Sequence, residues 1–237
     1  DKTEMVIYCE MGTRQREIYD SVRNDIRDYL MGRSEDELHR SSMQVLQGIT
    51  KLRQVCNSPE LISKEAYYQN AAAKLDVLLE QIEAKAPYHK ILVFSQFVGM
   101  LNLVKAKLEE REIKFSYLTG QTKNRKDVVN SFTQDESQRV FLISLKAGGV
   151  GLNLTEADYV YLIDPWWNPA VENQAIDRSY RIGQHKNVIA VRLICPDTIE
   201  EKMMLMQQRK KNLVADLVKT DSTIFKSLTK DDLLSLL

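Results

Sequence analysis

The sequence predicts an α/β fold, with a mainly parallel sheet flanked by helices. Two observations carry this. From about residue 90 to residue 194, short apolar runs of strand length alternate with amphipathic helical segments, the pattern of βαβ units covered on both faces. Before residue 87 the apolar positions recur at helical spacing with only one strand-like run ahead of them. The fold therefore adds an N-terminal helical protrusion, and it ends in a long C-terminal helix.

The elements follow in order. Met5-Val-Ile-Tyr-Cys9 reads as a strand entered directly from Asp1-Lys-Thr-Glu4, so the chain is expected to begin inside a longer protein. Ile18, Val22, Ile26 and Leu30 mark a helix near 13–30, and Val45, Leu46, Ile49 and Leu52 a second near 38–55. A third helix spans about 71–86 and stops at Pro87. Strands are expected at 90–95, 114–119, 139–144, 158–164 and 188–194. Helices are expected at 98–111, at 123–132 with Thr122 as its cap, and at 170–182. A helix from 197 to about 218 follows, then a short capped amphipathic one near the end. The expected division is a protrusion at 13–60, a sheet core at 71–195, a long helix at 197–220 and a tail helix at 221–237.

Composition narrows the function classes. Lysine plus arginine and aspartate plus glutamate both total 33 in 237 residues, 43% of them hydrophobic. One substantial core fits this length. A nucleic-acid site would have to be a local basic stripe. Cys9, Cys56 and Cys195 are far apart without a C-x-x-C pair, which suits a reducing compartment and neither a disulfide framework nor a zinc site. His39, His89 and His185 are too scattered for a metal or a triad. No apolar run approaches membrane-spanning length.

Polar and glycine-rich residues gather where the expected strands end. Ser95-Gln96, Thr119-Gly120, Ser144-Leu-Lys-Ala-Gly-Gly-Val-Gly-Leu-Asn153 and Asp164-Pro-Trp-Trp-Asn-Pro169 each follow a strand. Open parallel sheets bind ligands at those carboxyl ends. Gly148, Gly149 and Gly151 allow close backbone approach, and Lys146 beside them favours an anion; by themselves the glycines equally describe a tight turn. Leu154 stands where a dinucleotide fingerprint needs its third glycine, and no Walker A pattern occurs. Of Trp166 and Trp167, an exposed one could stack on a base, or both could close a small core. Gln174, Arg178 and Arg181 fall at i, i+4 and i+7 of the expected helix and share one face. That stripe is either a solvated charged face or an anion site, since guanidinium forks match phosphate oxygens.

Together these segments resemble the second RecA-like lobe of the Swi/Snf-type helicase-like ATPases of superfamily two. Ile91-Leu-Val-Phe-Ser-Gln-Phe97 resembles motif four, the run from Ser144 to Thr155 motif five, and Gln174-Ala-Ile-Asp-Arg-Ser-Tyr-Arg-Ile-Gly-Gln184 motif six. Leu118-x-Gly120-x-Thr122-x-x-Arg125 and the Asp164–Pro169 run fall in the family's order. Tyr180 and Ser58 stand where many relatives carry histidine.

The resemblance implies roles. Arg178 and Arg181 would be arginine fingers for ATP, with its Mg²⁺, held on an N-terminal RecA-like lobe. Gln174, Asn153, Gly149 and Gly151 would face the nucleotide. Ser95, Gln96, Thr119, Gly120, Arg125, Ser144, Lys146 and Trp166 would track the backbone of double-stranded DNA. The helix from residue 197 would be the family's brace. The implied protein is a double-strand translocase that remodels a DNA-bound protein, and this chain alone would be inactive. A strand-separating DNA or RNA helicase lobe and a non-catalytic interaction module are the alternatives. A methyltransferase is opposed by the lack of an early glycine-rich strand-turn-helix. The compact protrusion points to the bacterial cytoplasm and its nucleoid, or to the nucleus in a eukaryote.

Overall fold

The computed structural model describes residues 1–147, 151–211 and 227–237. Gly149 and residues 212–226 lie outside the described residues, and with them one expected ATP contact and parts of the expected brace and tail. The described chain forms two compact units.

The first unit comprises Asp1–Cys9, Lys74–Pro165 and Ala170–Ile194. Its six-stranded sheet is parallel throughout: β1 (Lys2–Tyr8), β2 (Ile91–Ser95), β3 (Phe115–Leu118), β4 (Val140–Ser144), β5 (Tyr159–Leu162) and β6 (Val188–Ile194), in the order β1-β6-β5-β2-β4-β3. Every residue of β2 and β4 is buried, which is why both read as unbroken apolar runs. The edge strand β3 alternates half-buried and buried residues. The helices α4 (Ala73–Lys85), α5 (Val98–Glu110), α6 (Arg125–Gln134) and α7 (Pro169–Ile176) connect the strands. On α5, Met100, Leu101, Val104 and Leu108 form the buried face at helical spacing.

Ser95 pairs with Ser144 in register, and Leu118 pairs with Ile143. The carboxyl ends of β2, β3 and β4 are therefore level. The chain runs out to β3, returns through β4 and then crosses β2 to β5. That reversal places residues 145–147 and 151–158 at the crevice where such sheets bind ligands.

The second unit comprises Glu10–Ala73, Trp166–Pro169 and Cys195–Leu237. Here α1 (Thr13–Met31), α2 (Glu35–Arg40), α3 (Ser42–Asn57), α8 (Ile199–Lys211) and α9 (Lys230–Leu236) are the α-helices among the described residues. Its core joins Ile18, Val22 and Leu30 of α1 to Ile49 and Leu52 of α3, Met203 of α8 and Leu233 of α9.

Several sequence expectations are corrected. The sheet core is not confined to 71–195, because β1 hydrogen-bonds along the whole of β6. The single helix expected at 38–55 is two. Ser34 and Glu37 cap each other's backbone to start α2, and Ser41 ends it by donating its hydroxyl to the Glu37 carbonyl at 2.8 Å. Thr122 does not cap α6; its hydroxyl oxygen accepts the Thr119 N–H at 3.0 Å, and α6 starts at Arg125. The helix expected at 170–182 ends at Ile176. Among the described residues no helix is long and apolar enough to cross a membrane.

Candidate nucleotide and nucleic-acid site

After α7 the backbone turns to i+3 bonds, the Arg178 N–H donating to the Ala175 carbonyl at 3.3 Å and the Ser179 N–H to the Ile176 carbonyl at 3.2 Å. The Arg178 carbonyl accepts the Leu154 N–H at 2.9 Å, and the Ser179 carbonyl accepts a proton of the Gln184 side-chain amide at 2.9 Å. Both carbonyls thereby find partners outside the helix. The Ser179 hydroxyl caps the Ile176 carbonyl at 3.1 Å. Gln174 alone of the three expected residues lies within the helix, so Gln174, Arg178 and Arg181 are not one straight helical stripe.

Arg178 is 6% exposed, while Gln174 and Arg181 are exposed. Among the described residues the buried Arg178 Nε has no hydrogen-bond partner. Burial first, and then the neighbouring Arg181 guanidinium, lower the Arg178 pKa from its ordinary value; Asp177 partly opposes this. Arg181 Nε donates to the Asp177 carbonyl at 3.2 Å. Two guanidiniums that repel each other make a local positive site suited to an anion. Asn153 and Gly151 are exposed on the connection that Leu154 ties to Arg178, and Gly151 has φ +96°, a conformation that favours glycine.

The other expected residues separate into a surface group and a buried group. Gln96, Thr119, Gly120, Ser144 and Lys146 line one cleft of about 430 Å³ at the ends of β2, β3 and β4. Tyr117 and Asn102, hydrogen-bonded at 2.5 Å, line it too and were not foreseen. Lys146 is exposed, as are Lys123, Arg125 and Lys126 at the start of α6. Arg125 Nη1 reaches the Ala147 carbonyl at 3.4 Å, beside Lys146. These exposed cations form a local basic stripe on a chain of zero net charge.

Ser95 and Ser144 depart from expectation. Ser95 is wholly buried; its hydroxyl donates to Asp164 Oδ1 at 2.5 Å and accepts the Phe97 N–H at 3.0 Å. Asp164 Oδ2 also accepts the Gln96 N–H at 3.0 Å. The Ser144 hydroxyl accepts the Ala147 N–H at 3.3 Å and is equally enclosed. These hydroxyls hold the loops that carry Gln96 and Lys146. Trp166 belongs to the second unit and is only 8% exposed; Trp167 is at 3% in that unit's core. Neither offers a stacking face. Gln207 of α8 donates its side-chain amide to the Trp166 carbonyl. Asp164 and Gln184 were quoted in motifs without roles, and only their partners reveal them.

Comparison with known proteins agrees with this geometry. The family model for the helicase conserved C-terminal domain matches residues 73–183, and that for the SNF2-related domain matches residues 1–61. An uncharacterized ATP-dependent helicase of Mycoplasma pneumoniae is 36% identical over 97% of this chain and 22% of its own length. The chain spans about a fifth of the length of the curated relatives it matches. The Sulfolobus solfataricus SWI2/SNF2 ATPase C-terminal domain matches with a TM-score of 0.80 and 26% identity, covering 100% of this chain and 98% of that one. The SWI2/SNF2 ATPase core of the same organism in complex with dsDNA has a TM-score of 0.80 and 29% identity, covering 98% of this chain and 49% of that one. With its six-stranded parallel sheet and motifs in family order, the chain belongs to the Swi/Snf-type helicase-like ATPases of superfamily two, as a C-terminal RecA-like lobe.

Proposed function

We propose that this chain is the C-terminal lobe of an ATP-dependent double-stranded DNA translocase or remodeller. It would supply Arg178 and Arg181 to ATP held on an N-terminal lobe. The observation that carries the reading is the paired guanidiniums: a buried Arg178 whose Nε has no partner among the described residues, beside an exposed Arg181. A transferring phosphoryl group gathers negative charge on its outer oxygens, and two guanidiniums brought against it stabilise that charge. Trans-acting fingers contribute about 10³–10⁵ in rate, or about 4–7 kcal/mol of barrier. A surface ion pair is worth about 0–1 kcal/mol, so a solvated-face role would leave no comparable kinetic trace.

Asn153 and Gln174 would orient the nucleotide from the same end of the sheet. The Mg²⁺ that accompanies ATP would be held by the N-terminal lobe. Lys146, Arg125, Gln96, Thr119 and Gly120 would contact DNA phosphates, giving sequence-independent and salt-sensitive binding. A relative of known structure carries dsDNA on the equivalent core, which supports duplex as the ligand. The remodelled target would be a DNA-bound protein, in the bacterial cytoplasm or a eukaryotic nucleus.

The test is ATP hydrolysis by this chain and by the complete protein, each with and without duplex DNA. An inert chain and a duplex-stimulated complete protein are expected. Turnover by the chain alone would place a complete nucleotide site within it and overturn the two-lobe reading.

A further inference from the structure

Gln184 closes motif six. Its side-chain Nε2 lies 2.8 Å from the Thr155 carbonyl, 2.9 Å from the Ser179 carbonyl and 3.2 Å from the Ala157 carbonyl. A primary amide has two protons. The two shortest contacts take one each: one to the 151–158 connection, one to the segment carrying Arg178 and Arg181. The Gln184 Oε1 accepts the Lys186 N–H at 2.9 Å, which fixes the amide's orientation. Gly183, at φ +101°, makes the turn that brings the side chain back, and the Gln184 N–H donates to the Arg181 carbonyl at 3.0 Å.

We infer that Gln184 is the positioning residue that locks the arginine-finger segment to the 151–158 connection ahead of β5, so that DNA contact at the strand ends is felt at the fingers. The inference rests on the function proposed above. The Leu154–Arg178 bond is a single backbone contact and could hinge about itself. A second tie, from Gln184 to Thr155 and Ser179, removes that freedom, because two separated bonds define a relative orientation. Both fingers lie inside the stretch so held: Arg178 directly before Ser179, and Arg181 with its carbonyl bonded to Gln184 itself. Coupling needs a defined mechanical connection between the sites, and this amide provides one.

The experiment uses the complete protein with duplex DNA, measured well below each variant's unfolding midpoint. Gln184→Met keeps the reach and loses the donors. It is expected to bind ATP and DNA as before, and to lose about tenfold or more of the DNA-stimulated rate relative to the basal rate. Gln184→Lys restores a donor of similar reach and should recover most of the stimulation; Gln184→Glu, which cannot donate, should not. If Gln184→Met fails to fold, the contrast between Lys and Glu carries the test. A lowered midpoint with an unchanged ratio of stimulated to basal turnover would overturn the inference, as that is what a purely structural clasp predicts. Arg181→Ala is run alongside. If it retains turnover, the finger reading itself fails. If it is inert while Gln184→Met keeps full stimulation, only the role of Gln184 fails.

Discussion

The backbone N–H of Leu154 donates to the carbonyl of Arg178 at 2.9 Å. This bond joins the connection before β5 to the segment after α7, so residues that motifs five and six describe separately meet within the first unit. It uses only backbone atoms. Substitution of the Arg178 side chain therefore leaves it in place, and side-chain effects at positions 178 and 181 can be read as effects on chemistry.

Arg181→Ala in the complete protein should lower ATP turnover by about 10³–10⁵ while leaving nucleotide binding close to that of the unmodified protein. Single-turnover kinetics with a nucleotide titration separates the two. A parallel loss of binding would refute the finger role.

Arg178→Met should remove hydrolysis and at the same time stabilise the lobe by about 0.5–2 kcal/mol. The wild-type guanidinium is buried, its Nε has no partner among the described residues, and it faces the like charge of Arg181. Denaturant melts of the two proteins check this; a marked loss of stability would show that Arg178 is a structural ion.

Lys146→Ala should weaken DNA-stimulated turnover more than basal turnover. It should also reduce the slope of log affinity against log salt by about one, because Lys146 is an exposed cation at the rim of the cleft. Duplex titrations at several salt concentrations give the slope, and an unchanged slope rules out a phosphate contact there.

Ser95→Ala should act on stability and spare direct DNA affinity. The hydroxyl is buried between Asp164 and the Phe97 N–H, and its loss should cost about 1–3 kcal/mol. A melt together with a DNA titration of the same protein decides between this and the expectation from the motif.

Alkaline pH should destabilise both units. Burial holds the Tyr161 hydroxyl of the first unit and the Tyr19 hydroxyl of the second well above the ordinary tyrosine value of 10.0; at Tyr19 the charge of Cys56 adds to it. A raised folded pKa means the folded state keeps its proton when the unfolded chain would release it. The contribution is whole below 10.0 and is lost as pH rises beyond it. Tyr161→Phe should flatten the fall in stability above that pH, measured by denaturant titration at successive pH values. Tyr19→Phe tests the same in the second unit, although there the oxygen also accepts the Ile199 N–H at 2.8 Å.

The sequence by itself determined the element types, the parallel sheet and the family. Ile91-Leu-Val-Phe-Ser95 and Val140-Phe-Leu-Ile-Ser144 are apolar throughout because both faces of those strands are covered, and such periodicity is set by spacing within a few residues. The start of α2 is written in the sequence too, since Ser34-Glu-Asp-Glu37 is a capping box. The partners of loop backbone and of strand-end hydroxyls were settled only by the tertiary structure. Whether Ser95 faces DNA or Asp164 and whether Trp166 is open or enclosed each depend on groups far away in sequence. The great majority of buried backbone donors and acceptors find a partner. For the Arg178 and Ser179 carbonyls those partners, Leu154 and Gln184, exist only once β4, β5 and α7 have been brought to one end of the sheet.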